Sequence, residues 1–496
     1  MTIRYSASWL NSAQTTIHSD TRTGEILNAS ILINANMISV QYADRIGATV
    51  AIDPRVRTTV FPQEIQGELI QAAIAQAVGT GLGLTMNWGA SCAYPVDSLR
   101  SASFTQKYGL ASSVMGGVII NDVATEEDVR NGVCLVNTKP GPYDELVIKY
   151  LYQPIYASSL QEEKETLDSW IREHTGDPYY AYIRNQSRFD SDPRNSRGSL
   201  GDDHLKSFDY MLPNVRKGFE NYYSWFAKED RDFLMRRRVH SALSERLSGR
   251  IYAILSYIGG IYLNDIREKD AIPSYSMVDR EKQKAALSKA LELAKNLDWV
   301  DDTAHLNEFE ISDKKADRLR LDIFNGIFGR LPYVEVCTER FPDAAYTASE
   351  YLDDIYGIVW EGVLKHRPLE NFDRALQTAF LESIISTSTA TAPIGSFKAS
   401  KTGFAATGKP EINLAALRNG GKVDMKMYSL QNAEEVAGFS SIPPIYTNQT
   451  KIAAYYFDLL MRTKDMLKKA ISTAPEADRS HYDLLIYRIN KATEIE

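Results

Sequence analysis

The chain has 496 residues, of which 44% are hydrophobic and 24% charged, with a formal net charge of -8. That composition belongs to a globular protein with ample core material and excludes a largely disordered chain. The negative balance argues against a broad basic surface for nucleic acid or anionic lipid, and no uninterrupted apolar run approaches the roughly 18 residues needed to span a bilayer.

Texture changes along the chain: 23 of the first 150 residues are charged, against 97 of the remaining 346. The first part is rich in small and apolar residues, whereas the second reads as solvated helices around a core. Cys92, Cys134 and Cys337 stand too far apart for a metal or disulfide framework. Met1 to Leu10 lacks the basic-then-apolar layout of a signal peptide.

In chain order, the turn Thr23-Gly24 precedes Ile26 to Ile38, whose partly alternating Ile and Leu residues predict a strand. Pro62 opens a predicted helix, with Glu64 in its first turn and Ile65, Leu69, Ala73, Gln76/Ala77 and Thr80 along one side. Gly79, Gly81 and Gly83 mark where it ends. Beyond residue 160, helical stripes dominate: Phe219, Tyr222, Tyr223 and Phe226; Leu287, Ala290, Leu291, Ala294 and Leu297; and Ile452, Tyr455, Tyr456, Leu459, Leu460 and Leu467. They are expected to be core. Ser187 to Asp203 and Ser386 to Pro410 read as loops, the second without an acidic residue and expected to be a flexible connection.

Several sequence blocks recur in a telling order: Asp20-Thr21-Arg22-Thr23-Gly24-Glu25-Ile26-Leu27-Asn28-Ala29, then Asp53-Pro54-Arg55-Val56-Arg57. After the helix come Ala93-Tyr94-Pro95-Val96-Asp97-Ser98-Leu99-Arg100-Ser101, Phe104-Thr105-Gln106-Lys107-Tyr108-Gly109, Ser113-Val114-Met115 and Gly141-Pro142-Tyr143-Asp144. This series resembles the large bacterial zinc-dependent metallopeptidases of the metzincin type, usually secreted, periplasmic or surface-attached. The resemblance is most specific over residues 3–155 and looser through Leu200-Gly201-Asp202-Asp203 and beyond.

Such enzymes carry H-E-x-x-H-x-x-G-x-x-H and a Met-turn. Two histidines one helical turn apart aim at one zinc ion, the glutamate serves as base for its water, and the glycine turns the chain toward the third histidine. Aligned on that motif, the ligand positions hold Gln76, Thr80 and Met86, and the base position holds Ala77. The turn glycine, Gly83, is retained, and Met115 stands where the Met-turn would, although Gly116-Gly117 replace the Asp-Tyr typical of the family. An amide, a hydroxyl and a thioether lack the charge and basicity of zinc ligands, and alanine takes no proton. None of the seven histidines pairs at ligand spacing.

The resemblance implies an α+β fold: a metzincin-like catalytic-type domain over 1–155, then a helical region over 156–385, a flexible linker over 386–411 and a C-terminal helical segment over 412–496. It also places a strand and helix, and further domains, before the Ile3-Arg4-Tyr5 block, so an N-terminally truncated chain is expected. The expected function is that of a catalytically inactive homologue, a pseudopeptidase retaining peptide or protein binding; an active endopeptidase with a metal site rebuilt from distant residues and a structural remnant stand as alternatives. Zinc is the family's cofactor, and none is expected for this sequence. The resemblance assigns peptide pairing to an edge strand above the active-site helix, expected at Glu25, Ile26, Leu27, Asn28, Ala29 and Ser30. Two weaker motifs are a calcium loop around Asp190-Ser191-Asp192 and Asp202-Asp203, set against a solvated turn, and a phosphate contact by Arg236-Arg237-Arg238, set against a solvated helix face.

Overall fold

A computed structural model describes residues 1–8, 13–34, 36–183, 191–195, 199–264, 266, 270–301, 314–388 and 449–493. Its fold is α+β, a small mixed sheet beside a largely helical body. Strands β1 (Thr2–Ser6), β2 (Ala13–Ser19) and β3 (Ile26–Asn34) form a sheet of order β1-β3-β2. β1 runs parallel to β3, with Thr2 opposite Ser30, and β2 runs antiparallel to it, with Thr15 opposite Ile31. The block from Asp20 to Glu25 is the turn of the β2–β3 hairpin: Gly24 takes φ +76°, and the Asp20 N–H donates to the Glu25 carbonyl at 2.8 Å.

This topology corrects one expectation. Ile26 to Ser30 lie in the middle strand, and Glu25 sits in the turn before it, so neither forms an edge. The reason is apolar content: β3 buries Ala29 and Ile31, while β1 is exposed over four of its five residues and β2 alternates between half-buried and exposed. The most apolar strand takes the centre, where a neighbouring strand pairs with each of its edges. The predicted strand also stops at Asn34, and helix α1 (Met37–Thr49) follows.

The predicted helix at 62–83 forms as α2 (Gln63–Gly81), entered through Pro62 and burying Ile65, Leu69, Ala72, Ala73 and Ala77. Short helices α3 (Ala102–Tyr108), α4 (Glu126–Arg130) and α5 (Pro142–Tyr152) follow, then α6 (Leu160–Arg172). The helical body begins with α7 (His204–Phe226) and α8 (Leu234–Leu255), continues past the small hairpin β4 (Ile261–Leu263) and β5 (Tyr275–Met277) into α9 (Arg280–Lys295), and then runs through α10 (Lys315–Phe328), α11 (Leu331–Arg340) and α12 (Ala348–Val359). It closes with α13 (Glu361–Leu364), α14 (Asn371–Ser388), α15 (Gln449–Ala470) and α16 (Glu476–Thr493). The apolar stripes of α7, α9 and α15 are core: Phe219, Tyr222 and Phe226, Leu287 to Leu297, and Ile452 to Leu467 contribute buried side chains to it. Residues 386–388 belong to α14, while the rest of the expected linker, and 412–448 after it, lie outside the described residues.

The main core does not stop at residue 155. Ile46 and Val50 of α1 and Ile65 and Leu69 of α2 join the same cluster as Val215, Leu243 and Leu247. A buried charge cluster spans the same junction. The Asp122 carboxylate, 1% exposed, accepts from Arg246 Nε at 2.6 Å and from Arg250 Nε at 2.9 Å, and the Asn214 amide donates to the Asp122 carbonyl at 2.9 Å. Burial alone would raise the Asp122 pKa, but the two guanidiniums overcome it and hold it below the usual carboxylate range.

Asp122→Ala should therefore destabilise the protein by about 3–5 kcal/mol, since it strands the buried Arg250 charge. Asp97→Ala, which removes an exposed Lys206 pair, should cost below about 1 kcal/mol; urea midpoints at constant m separate the two outcomes. Because the Asp122 pKa is depressed in the fold, its contribution is full above the unfolded value of about 3.9 and fades as pH falls through the folded value. The difference between wild type and Asp122→Ala should shrink accordingly in acid unfolding.

Candidate active-site helix and Met-turn

The carboxyl end of α2 packs under the sheet. Thr15 of β2 donates its hydroxyl to the Ala77 carbonyl at 3.1 Å, so β2 is the sheet edge tied to this helix. Past Gly81 the chain turns at Gly83, whose φ of +91° suits a glycine, and the Leu84 N–H closes the helix end on the Gly79 carbonyl at 3.0 Å. The turn brings Met86 back to the helix. The Gln76 amide Nε2 donates to the Met86 sulfur at 3.0 Å, and the Thr80 hydroxyl donates to the Gln76 carbonyl at 3.2 Å.

Below them lies the Met115 turn. A side chain at Gly79 would place its first carbon 2.6 Å from the Met115 sulfur, so helix and turn touch there and any larger residue would force the buried Met115 side chain to shift. Met115 is fully buried beside Leu84 and Val114, with Leu82 and Met86 packed against them. The turn is fixed by Asp144, which accepts from the Ser113 hydroxyl at 2.5 Å and from the N–H groups of Val114 and Gly141 at 2.9 Å each. Burial raises the Asp144 pKa, and these hydrogen bonds only partly oppose it. Asn87 ties the same region to the chain ahead of α7: its amide donates to the Ala181 carbonyl at 2.9 Å and its oxygen accepts from the Ile183 N–H at 3.1 Å.

The structure thus gathers Gln76, Ala77, Thr80 and Met86 at one end of α2, over Met115. It leaves Ile26 only at the margin, its terminal methyl facing Gly83, with Leu27 65% exposed. Sequence reasoning gave no role to Asp144 or Thr15. Asp144 was detectable as the third residue after Gly141 in a Gly-Pro helix start, a position that reaches back to the cap. Thr15 carried no signal.

Helix, glycine turn and buried methionine turn meet at this end of α2, and the match to a Met-zincin family model makes the protein metallopeptidase-like. A family model described as Met-zincin matches residues 58–367, from α2 through the Met115 turn and past α13. The chain belongs to the Met-zincin family. No curated protein and no solved structure is significantly similar to it.

Zinc, which the family implies, does not fit the residues present. The Gln76 amide presents an N–H donor to Met86, and the Thr80 hydroxyl is spent on a backbone carbonyl. Neither supplies the anionic or imidazole lone pair that Zn²⁺ requires. Among the described residues no group of three or more His, Cys, Asp or Glu side chains is placed to hold a metal ion. The secondary motifs resolve in the same bland direction. Asp192 is held by Arg194 at 2.7 Å, and Asp203 caps α7 and pairs with Lys282 at 2.8 Å; Asp190 lies outside the described residues. Arg237 and Arg238 are exposed, but Arg236 is buried on Asp230 at 3.1 Å, a structural role that three adjacent arginines conceal.

Gly79→Ala should cost about 1–3 kcal/mol by overpacking against Met115. The penalty should shrink in a Met115→Ala background; equal penalties in both backgrounds, read by urea denaturation, would show that helix and turn do not meet here.

Proposed function

We propose that this chain is a catalytically inactive metallopeptidase homologue that acts by holding an extended peptide or protein segment along the free side of β2. The observation that carries the reading is the Gln76–Met86 contact, because it occupies the place of two metal ligands with an internal hydrogen bond. Ala77 adds to it: a methyl group at the base position gives a water molecule no proton acceptor. Peptide binding needs none of that chemistry. Main-chain pairing uses only the N–H and C=O groups of a strand edge, and β2 is hydrogen-bonded to one strand, β3, among the described residues. Its tie to α2 through Thr15 keeps that edge beside the former catalytic centre. No helix of the described residues is long and apolar enough to cross a membrane, so this reading invokes no membrane span.

Purified protein should carry far less than one zinc per chain by metal analysis. It should retain peptides from an extended-peptide library equally with and without chelator, and a bound peptide should slow amide exchange across Ala13–Ser19. Stoichiometric zinc with chelator-sensitive cleavage would overturn inactivity. Binding without protection of β2 would overturn the assigned edge.

A further inference from the structure

Between residues 145 and 182 the chain builds most of α5 and all of α6, yet not one of these residues is buried. The stretch is too apolar for that position to be incidental. α5 ends in Leu151 and Tyr152, 46% and 50% exposed, and Tyr156 and Leu160 follow at 97% and 85%. α6 then sets Leu160, Leu167 and Ile171 on one side at helical spacing. A helix patterned in this way is ordinarily stabilised by burying that side. α9 does so, burying seven of its 16 residues, whereas α6 buries none of its 13. A cluster of exposed aromatic and aliphatic side chains of this kind marks an interaction surface.

The surface stands on a fixed base. The Tyr152 hydroxyl donates to the Leu82 carbonyl at 2.7 Å, and a Leu151 methyl lies against Gly83, so the end of α5 is held at the exit of α2. The Lys149 ammonium, 4.4 Å over the Trp170 ring, joins α6 to α5. A partner would therefore meet side chains already in place, which lowers the ordering cost of binding.

Charge selects the occupant. Residues 145–182 hold seven acidic side chains against three basic ones, which is half of the chain's formal net charge of -8. Glu162, Glu163 and Glu165 follow directly after Leu160 on α6. A second copy docked face to face would set this charge against itself, and an anionic lipid surface would be repelled. A polypeptide that carries lysine or arginine beside apolar anchors is attracted by both properties of the surface.

We propose that the α5–α6 surface docks a cationic amphipathic helix of another protein, with its apolar side on Leu151, Tyr152, Tyr156 and Leu160 and its basic side facing the glutamates of α6. The proposal does not rest on peptide pairing at β2.

The probe is a labelled helical peptide of leucine and lysine in amphipathic spacing, titrated by fluorescence anisotropy into the full chain. Its controls replace every lysine by glutamate, or every leucine by serine. The leucine–lysine peptide should bind saturably and more weakly as salt rises, and neither control should bind. Tyr156→Ser with Leu160→Ser changes two exposed side chains, so the fold should persist while affinity falls about tenfold. Glu163→Gln with Glu165→Gln should weaken binding and flatten its salt dependence. Leu484→Ser with Tyr487→Ser, on exposed positions of α16, should leave affinity unchanged. Bound peptide should slow amide exchange across residues 145–172. Undiminished affinity in the Tyr156/Leu160 variant, equal loss in the α16 variant, binding of the glutamate peptide, or no saturable binding would each overturn the proposal. So would protection confined to Ala13–Ser19, which would assign the peptide to the β2 edge instead.

Discussion

The carboxylate of Asp122, held between Arg246 and Arg250, is the constraint on which the rest of the arrangement depends. A buried anion is tolerated only where matched charge and hydrogen bonds replace its water. Here the anion comes from the small-residue-rich first part of the chain and both cations come from α8, the long helix against which α1 packs. The two parts are thereby fixed in a single register. The Asn214 amide, donating to the carbonyls of Asp122 and Ala124, adds α7 to the same joint.

With the halves locked, the end of α2 has a defined floor and roof. In zinc enzymes a metal ion contributes part of the folding energy of such a site. In this chain the contacts are protein to protein: Met115 fits against Gly79, Asp144 holds the turn, and Gln76 reaches Met86. Around the end of α2, Gln76, Thr80, Met86 and Met115 carry packing and hydrogen-bonding roles. The flanking blocks remain recognisable because they are the parts that build the shape.

Much of this shape was legible in the sequence, and the misses share a cause. α2 announced itself through Pro62, Glu64 and regular apolar spacing, all local signals. The apolar stripes of α7, α9 and α15 were equally clear, because helical periodicity is set within a few turns. The position of β3 was not, since an alternating strand reveals which face is buried but not how many neighbours it has. Arg236 reads as one of three solvated arginines until Asp230 is seen beside it. At the site, Gln76, Ala77, Thr80 and Met86 were singled out by motif spacing within one stretch of chain, whereas Asp144 and Thr15 act across 30 and 62 residues and gain meaning only in space.

The uninterrupted core has a practical corollary for anyone dissecting the molecule. The fall in charge density before residue 150 invites a cut there, as though two modules had been joined end to end. Severing the chain at that point would expose Ile46, Val50, Ile65 and Leu69 to water and leave the Asp122 carboxylate without its guanidinium partners. The pieces would behave as sticky, partly unfolded fragments rather than as an isolated peptidase-like unit and its helical appendage.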